Sequence, residues 1–501
     1  TLGDMRGAAD FLRPGNGAGV ALIVSQQGGQ ELQVLARGIL EPAVLLDSEP
    51  KSGESVDGPA RQVVVDHLFR VLRGSNNLVF PNSRSEVEYY SDRLRRRCEE
   101  ERVPNEFWPH HGSLAKDIRE EAEAALKQRE RPASAICTST LELGIDIGSV
   151  KSVAQIGSPP SVASLRQRLG RSGRRKGEPA ILRGFMVERQ LTSNSDLSDQ
   201  LREGLVQFVA MVRLLVSGWY ELAGLEGLHA STLVQQLLSL LVQYGGLQPG
   251  QAWKLLCQDG PFACVSRAHF QLLLRALGER ELIFQDATGL ILLAPKGERI
   301  TQHYTFYASF GTDEEFRIVT EGRTLGSMPV SRPLVPGSYL IFAGRRWLVT
   351  SVSQENLTIE VTPSTGGSVP GFTGNMGAVL HDRVREEMRQ VLRSLEAIPF
   401  LDEAGQKMLR EARENYARLD LDSQWLRQSG NQTQILLWKG DRIHDTLLLM
   451  LQARGFRGLN EGLCLSLDGT KTERVRDALQ EIVSTDPVDP VMLASTVKNK
   501  M

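Results

Sequence analysis

The chain has 501 residues and a formal net charge of −2, with 41% hydrophobic and 24% charged residues. This is ordinary soluble globular material, long enough for roughly three domains or more. No run of about 18 apolar residues predicts a transmembrane helix, and the first residues lack the regions of a signal peptide, so we expect a cytoplasmic protein. The net charge neither favours nor excludes nucleic acid, because a local basic patch suffices to steer phosphates.

The five cysteines form no Cys-x-x-Cys pair, so the sequence predicts neither a zinc site nor a disulfide framework. His110 and His111 are adjacent in a predicted loop. Such a pair is typical of a structural role or a phosphate contact rather than of a metal site. We therefore predict no metal ligands in this chain.

Residues 1–46 contain a predicted helix, a glycine-rich turn at 15–19 and strands at 20–24 and 32–35. The turn lacks the Lys-Ser/Thr of a phosphate-binding loop, which favours a plain surface turn. The chain begins without Met, so we expect it to be a fragment or a processed piece. We assign 1–46 to the end of a preceding lobe and the polar segment 47–60 to a linker.

Residues 61–188 alternate between helical and buried-strand patterns. Strands alternating with helices of this length predict an α/β lobe, with a parallel sheet and helices on both faces. Predicted helices cover 62–72, 85–102, 115–129 and 161–169, and predicted strands cover 77–81, 135–138 and 152–155.

The sequence after residue 188 predicts four further regions. A linker and a long helix occupy 189–228, and 229–300 predicts three helices and a hairpin, which together form a winged helix. Period-two strands over 301–375 predict a small β barrel. In that module Arg345, Arg346 and Trp347 favour a core tryptophan with solvated arginines, and single-strand stacking is the alternative. Residues 376–501 predict a helical and mixed α/β tail, in which Asp402 is a helix N-cap rather than a metal-binding carboxylate.

The segment 138–175 is the richest in chemistry. Ligands of an open parallel sheet lie at the carboxyl ends of its strands, where Thr138 and Ser139 offer hydroxyls and amides to a phosphodiester backbone. Gly144 permits a close turn, and Asp146 either accepts a hydrogen bond from a ribose hydroxyl or serves as a turn residue. Both alternatives for Asp146 stay open on the sequence.

Arginines cluster at the end of this segment. Arg171 and Arg174 are three residues apart, so that on a helical turn they share one face. Two guanidinium groups directed at one point can stabilise charge on a transferred phosphoryl group. A solvated basic helix end is the alternative, but the pattern Gln-x-x-Gly-Arg-x-x-Arg over 167–174 is more restrictive than a charge run.

These motifs resemble those of superfamily 2 DEAD/DEAH-type helicases. Motifs V and VI resemble 138–148 and 167–174, motif IV resembles Leu-Val-Phe-Pro-Asn-Ser-Arg at 78–84, and Thr-Leu-Gly-Asp at 1–4 resembles the end of motif III. Leu-Glu-Leu-Gly-Ile-Asp-Ile-Gly and Gln-Ile-Gly-Ser-Pro are similar to the Lhr (large helicase-related) family. The resemblance covers residues 1 to about 375 and fades beyond 430.

The resemblance implies an ATP-dependent helicase or translocase of a DNA-repair type that moves along a nucleic-acid strand. Single-stranded DNA is the expected strand, and RNA or a hybrid is the alternative. It places Gly144, Asp146, Gln167, Arg171 and Arg174 at ATP, with Arg171 and Arg174 as arginine fingers. Its strand contacts would be Asn82, Ser83, Arg84, His111, Gly112, Thr138 and Ser139.

The sequence departs from the family pattern in one respect. It contains neither the Walker phosphate loop nor the strand-borne Asp-Glu pair, so ATP and Mg²⁺ would be bound mainly by a lobe outside this chain. We therefore expect no ATP hydrolysis by the chain alone. The alternative is a non-catalytic nucleic-acid-binding or regulatory subunit built on the same lobe.

Overall fold

The computed structural model describes residues 4–13, 15–23, 31–42, 58–128, 131–142, 146–175, 177–222, 229–303, 306, 315–329, 335–354, 356–364 and 379–485. The chain divides into two compact units. One contains residues 29–220 and 315–501, and the other contains residues 2–28 and 221–314. Within the described residues, no helix is long and apolar enough to cross a membrane.

A six-stranded, wholly parallel sheet forms the centre of the larger unit. Its strands, in spatial order, are β1 (Leu32–Glu41), β6 (Ala180–Arg189), β5 (Ser152–Ile156), β2 (Asn77–Phe80), β4 (Ser134–Cys137) and β3 (Phe107–His110). The intervening helices are α2 (Pro59–Leu72), α3 (Arg84–Glu100), α4 (Lys116–Lys127) and α5 (Val162–Leu169). The predicted parallel α/β lobe is confirmed.

Every residue of the central strands β2, β4 and β5 is buried. Parallel strands covered on both faces by helices read as continuous apolar runs, which explains the sequence of these three strands. Two apolar clusters result. One contains Leu68 and Leu94 from α2 and α3, and the other contains Leu165 and Leu169 from α5.

Strand β1 corrects a predicted boundary. Residues 1–46 are predicted to end a preceding lobe, but β1 pairs with β6 in register from Leu32↔Ala180 to Glu41↔Arg189. β1 is the edge strand, so only Ala36, Gly38 and Ile39 are buried and its sequence resembles a surface strand. The lobe therefore begins by residue 32, and most of the predicted linker at 47–60 lies outside the described residues.

Helices that follow β6 in the chain pack on β6 and on the edge strand β1. Helices α6 (Leu197–Gln200) and α7 (Glu203–Val216) follow β6, and α12 (Asp382–Arg393) packs on α7. Helix α13 (Glu403–Arg418) begins at Asp402, which accepts a hydrogen bond from the Gly405 amide at 2.9 Å. The predicted N-cap is thus confirmed. Asp402 Oδ1 also accepts from the Gly38 amide at 3.0 Å, which fixes the helix on β1.

A second, five-stranded sheet belongs to the same unit. Its strands are β9 (Glu315–Thr320), β10 (Arg323–Pro329), β11 (Tyr339–Phe342), β12 (Arg345–Ser353) and β13 (Thr358–Pro363), in the spatial order β10-β9-β13-β12-β11. Trp347 is buried and donates from Nε1 to the Phe342 carbonyl at 2.8 Å, in agreement with the interpretation of a core tryptophan. Strand β10 is not predicted from sequence, and closure into a barrel stays a prediction.

The end of the chain forms a small α/β layer. The spatial order of its strands is β14 (Leu426–Ser429), β15 (Gln432–Ile435), β17 (Leu465–Asp468) and β16 (Gly458–Asn460). Helices α14 (Asp441–Ala453) and α15 (Thr472–Ser484) accompany the sheet. Leu451 and Val475 of these helices share an apolar cluster with Leu465 and Leu467 of β17.

The smaller unit is built from helices and one hairpin. Helices α1 (Met5–Leu12), α8 (Ala230–Tyr244), α9 (Pro249–Trp253), α10 (Arg267–Glu279) and α11 (Pro295–Gln302) accompany the antiparallel strands β7 (Ile283–Gln285) and β8 (Ile291–Leu293). Asp286 stabilises the hairpin turn, because its Oδ1 accepts from the amides of Thr288 and Leu290. The name winged helix stays a prediction for this unit.

Glu188 generates a prediction about stability. Burial raises the pKa of its carboxyl to about 7, although the Leu205 amide donates to it at 2.7 Å. Because the raised pKa favours the protonated acid in the fold, its contribution to stability is complete below about pH 4.5 and is lost towards pH 7. Glu188→Gln keeps an acceptor but cannot ionise. The free energy of unfolding of this variant relative to wild type should rise by on the order of 2–3 kcal/mol between pH 4.5 and 8.

Chemical denaturation across that pH range measures the difference. Glu279→Gln, at an exposed position, is the matched control and should give a flat difference. A flat difference for Glu188→Gln as well would show that Glu188 is not held protonated in the fold.

Candidate nucleotide and nucleic-acid site

The residues predicted to contact the nucleic-acid strand come directly after three neighbouring β-strands of the parallel sheet. Asn82, Ser83 and Arg84 come after β2, His111 and Gly112 after β3, and Thr138 and Ser139 after β4. Since β2, β4 and β3 are adjacent and parallel, all seven residues lie at the carboxyl edge of the sheet. This is the edge at which open α/β sheets bind ligands.

Asn82 is exposed but fixed in orientation. Its Nδ2 donates to the Ser158 carbonyl at 2.9 Å, and its Oδ1 accepts from Gln155 Nε2 at 3.2 Å. Gly157, beside it, has a φ of +69°, and a Cβ there would lie 2.8 Å from Asn82 Nδ2. Glycine is therefore needed at 157 both for its conformation and for the approach of Asn82.

Ser83 and Arg84 begin helix α3. Ser83 is the N-cap, and its hydroxyl accepts from the Glu86 amide at 3.1 Å. The Arg84 side chain is about half exposed, and its Nη1 lies 2.6 Å from Ser113 Oγ and 3.4 Å from Glu315 Oε1. Arg84 thus presents a cation at the helix start, where backbone amides also favour an anion.

His111 is placed differently from the prediction of a strand contact. Its side chain is 1% exposed, and its Nε2 lies 2.8 Å from Glu88 Oε1. The ring also meets Phe342 edge-on, with the centroids 6.0 Å apart. The imidazole is thus enclosed by protein, whereas the neighbouring Gly112 is exposed.

Glu88 joins this loop to the five-stranded sheet. Besides facing His111, its carboxylate accepts from the amides of Ala343 and Gly344 at 2.8 and 2.6 Å. Both turn residues have positive φ, 54° and 66°, so the two-residue turn directs its amides at one carboxylate. Glu88 is 5% exposed, and these hydrogen bonds compensate for burying its charge.

Two further contacts strengthen this junction. Asp92 is fully buried and accepts from Arg346 Nε at 3.2 Å and from Arg95 Nη2 at 3.3 Å. The main chain of the loop also pairs with β10, since the Ser327 amide donates to the Ser113 carbonyl at 2.8 Å. The loop after β3 is therefore held between the lobe and the second sheet.

The turn after β4 is held by the other histidine. Thr138 is half-buried and Ser139 is exposed at the start of a short 3-10 turn, Ser139–Leu141. His110 Nδ1 lies 2.8 Å from Thr140 Oγ1, and the Thr138 amide donates to the His110 carbonyl. Burial lowers the pKa of His110 more strongly than the adjacent Glu123 carboxylate raises it, which favours a neutral ring with a positioning role.

A buried ion pair, to which sequence analysis assigns no role, underlies this edge. Arg168 is 4% and Glu142 8% exposed, and Arg168 Nη2 and Nε lie 2.5 and 2.7 Å from Glu142 Oε1. Arg168 Nη1 donates to Gln155 Oε1 at 2.5 Å, and its guanidinium lies 4.6 Å from the Phe80 ring centroid. The sequence does contain a sign of this buried arginine. The spacing of Leu165, Arg168 and Leu169 puts Arg168 on the apolar face of α5.

Arg171, one of the two predicted arginine fingers, is hydrogen-bonded to a member of this pair. Arg171 is 6% exposed, and its Nε and Nη2 donate to the Glu142 carbonyl at 3.1 and 2.9 Å. Burial, followed by the like charge of Arg174, lowers the pKa of Arg171. Glu142 therefore positions two arginines, Arg168 by its side chain and Arg171 by its main chain.

Arg174 differs from Arg171 in exposure. It is exposed and its Nε donates to the Gly170 carbonyl at 3.0 Å, while Gly173 before it has a φ of +65°. Gln167 is half-buried on α5. Of the two predicted arginine fingers, Arg174 is therefore the one that is exposed to solvent. The segment that carries it is anchored by the buried Arg168 and Arg171.

Of the two nucleotide contacts predicted in motif V, Gly144 and Asp146, the structure describes only Asp146. Gly144 lies outside the described residues. Asp146 is exposed and accepts from the Gly148 amide at 3.1 Å, next to the positive φ of Gly148. This contact is that of a turn residue. The Asp146 carboxylate also acts on Arg171, where it opposes the lowering of the arginine pKa. Over the described ranges, no group of three His, Cys, Asp or Glu side chains could hold a metal ion.

Comparison with known proteins finds relatives in sequence and in fold. Residues 60–176 match the family model described as "Helicase conserved C-terminal domain". Among curated proteins, the chain is 25% identical over 290 residues to an "Lhr helicase/ probable uracil glycosylase" of Mycolicibacterium smegmatis, covering 53% of this chain and 18% of that protein. It is 26% identical over 358 residues to "ATP-dependent helicase Lhr-Core protein 2" of Thermococcus barophilus, covering 68% of this chain and 39% of that protein.

The match at residues 60–176 and the curated relatives support a superfamily 2, Lhr-type helicase C-terminal region for this part of the chain. A solved structure, of Mycobacterium smegmatis helicase Lhr bound to ssDNA and AMP-PNP, is similar in fold, with a TM-score of 0.56 at 19% identity. The similarity covers 91% of this chain and 58% of that one. The chain spans less than two-fifths of the length of the two curated relatives.

The buried pair allows stability to be separated from function. Arg168→Ala leaves the Glu142 carboxylate buried without its partner, which should lower the free energy of unfolding by about 3–5 kcal/mol. Arg174→Ala, six residues further on and exposed, is the matched control and should change it by less than about 0.5 kcal/mol. Chemical denaturation of both variants measures the contrast. Equal, small effects would show that the ion pair does not hold the site.

Proposed function

We propose that this chain supplies the second RecA-like lobe of an ATP-dependent helicase or translocase that moves along single-stranded nucleic acid. In this proposal the smaller unit is a winged helix and the five-stranded sheet a β-barrel module. ATP would lie between this lobe and another that contributes the phosphate loop and the Mg²⁺ carboxylates. The names and bound ligands of the relatives support ATP and DNA as ligands.

One observation carries the proposal. Arg174 is an exposed guanidinium on a segment anchored by two buried arginines, Arg168 and Arg171, and by Glu142. Such an anchor lets a cation act with little reorganisation, which is what stabilising charge on a transferred phosphoryl group requires. A solvated helix end would not need two buried guanidinium groups beneath it.

The residues present fit one part of a nucleotide. Arg174 offers an exposed cation and Gln167 an amide side chain, which suit the phosphate end, and the buried Arg171 adds its charge beneath them. ATP would supply the phosphoryl group whose transfer provides the free energy for movement. The residues of this chain would bind and orient that end, and Arg174 would counter its charge.

The same edge provides the proposed strand contacts. Asn82, Arg84, Gly112 and Ser139 are exposed there, on three adjacent strand ends, and Thr138 lies half-buried beside them. Amides, hydroxyls and one cation suit phosphodiester oxygens, which carry no sequence information. We therefore propose sequence-independent binding of a single strand, with DNA in a repair context as the substrate.

A substitution at Arg174 tests the proposal in the longer protein that carries this chain with a preceding ATP-binding lobe. Arg174→Ala should lower the turnover number for DNA-stimulated ATP hydrolysis by on the order of a thousandfold, because an arginine finger acts mainly in the transition state. The KM for ATP should change far less.

Arg175→Ala is the matched control, since Arg175 is exposed and paired with Glu178 at 3.6 Å. It should stay within about threefold of wild type, as exposed ion pairs contribute little. Wild-type turnover by Arg174→Ala would contradict the proposal. A longer wild-type protein that binds strands without hydrolysing ATP would instead favour a non-catalytic binding subunit.

A further inference from the structure

A cavity of about 460 Å³ lies in the C-terminal layer, and none of the edge residues described above lines it. It is lined by residues of α13, β14 and α15 and of the loop after α13. Its lining comprises Arg418, Leu419, Asp420, Gln424, Leu426, Arg427, Gln428, Thr472 and Arg476. The cavity therefore lies where the end of α13, which belongs to the main core, meets the small four-stranded sheet.

The charge of this cavity is strongly biased. The lining contains three arginines, Arg418, Arg427 and Arg476, and a single carboxylate residue, Asp420. Over the residues that the structure describes, none of the three is ion-paired with a carboxylate. The Asp420 carboxylate in turn accepts a hydrogen bond from the Ser423 hydroxyl. Uncompensated cations in one concave site favour an anionic ligand.

Neutral partners hold the lining in place. Arg418 Nη2 donates to Gln200 Oε1 and to Asn415 Oδ1, each at 3.0 Å, so that the side chain is oriented without losing its charge. Gln428 is fixed by its Nε2, which donates to the Gln432 carbonyl at 3.0 Å. Arg427 is half-buried, and burial lowers its pKa, an effect to which the like charge of Arg418 adds. An anion in the cavity would relieve both penalties.

We propose that this cavity binds a phosphodiester group of a nucleic-acid strand, which makes it a second backbone-binding site of the chain. Guanidinium forks match the oxygens of a phosphate, and the volume exceeds that of one phosphate, leaving room for an attached sugar or base. Leu419 and Leu426 offer apolar walls, and Gln424 offers an amide. The choice of a strand over a free anion rests on the proposed function.

Binding of a fluorescent single-stranded oligonucleotide to the 501-residue chain, followed by anisotropy over a range of salt concentrations, tests the proposal. Arg427→Gln/Arg476→Gln should weaken binding about tenfold, because this double variant removes charged hydrogen bonds to phosphate. The slope of log K against log salt should become shallower by about 0.7 for each phosphate that the variant no longer neutralises. The single variant Arg476→Gln, at an exposed position, should show part of both effects without affecting the fold.

Arg474→Gln is the matched control. Arg474 is exposed on the same helix, and its guanidinium lies 5.1 Å from the Phe456 ring centroid, so it is not part of the cavity lining. It removes the same charge and should leave affinity within about twofold. Equal decreases in affinity for Arg474→Gln and for the cavity variants would overturn the proposal, because they would reflect net charge alone.

Competition decides the ligand class. An unlabelled oligonucleotide should displace the probe from wild type, whereas inorganic phosphate, ATP or an acidic peptide at equal phosphate or carboxylate concentration should not. Displacement by any of these three as effective as that by the oligonucleotide would overturn the assignment to a strand. The result is independent of Arg174, because this assay measures binding without ATP turnover. Failure here and failure of the helicase proposal are therefore distinguishable.

Discussion

The buried ion pair between Arg168 and Glu142 is the interaction on which the candidate site depends. A buried pair repays its desolvation only with good geometry and further hydrogen bonds, and this one has both. Gln155 and Ser164 complete it, with Ser164 Oγ donating to Glu142 Oε1 at 2.9 Å. Through Gln155 it reaches Asn82, and through the Glu142 carbonyl it reaches Arg171. Proposed strand contacts and proposed nucleotide contacts thus share one polar network.

This sharing has a physical consequence for the proposed function. A strand that displaces Asn82 would act on Gln155 and hence on Arg168, which is the partner of the residue that positions Arg171. Hydrogen-bond networks with two discrete arrangements can carry coupling of this kind between sites. Glu88 makes a similar polar connection to the second sheet. Its carboxylate joins the loop after β3 to the turn at Ala343 and Gly344.

Local pattern was sufficient to predict some features. The buried runs of β2, β4 and β5 specify parallel central strands, and Asp402 before α13 specifies an N-cap, because both depend on neighbouring residues alone. Edge placement of the motif residues also follows, since carboxyl ends of parallel strands lie together.

Other features depend on partners distant in sequence. β1 pairs with a strand about 150 residues away, as Leu32↔Ala180 illustrates, and its half-exposed pattern does not reveal which lobe it joins. His111 looks like a phosphate contact in its motif, but Glu88 and Phe342 enclose it. The pairing of Arg168 with Glu142 likewise joins two segments whose meeting only the fold determines.

The most direct measurement is a structure of this chain together with the proposed ATP-binding lobe, a non-hydrolysable ATP analogue and a single-stranded oligonucleotide. A guanidinium nitrogen of Arg174 should lie within about 3 Å of a γ-phosphate oxygen, with Arg168 still paired to Glu142. A nucleotide bound between the lobes with Arg174 and Arg171 both directed away from its phosphates would contradict the account.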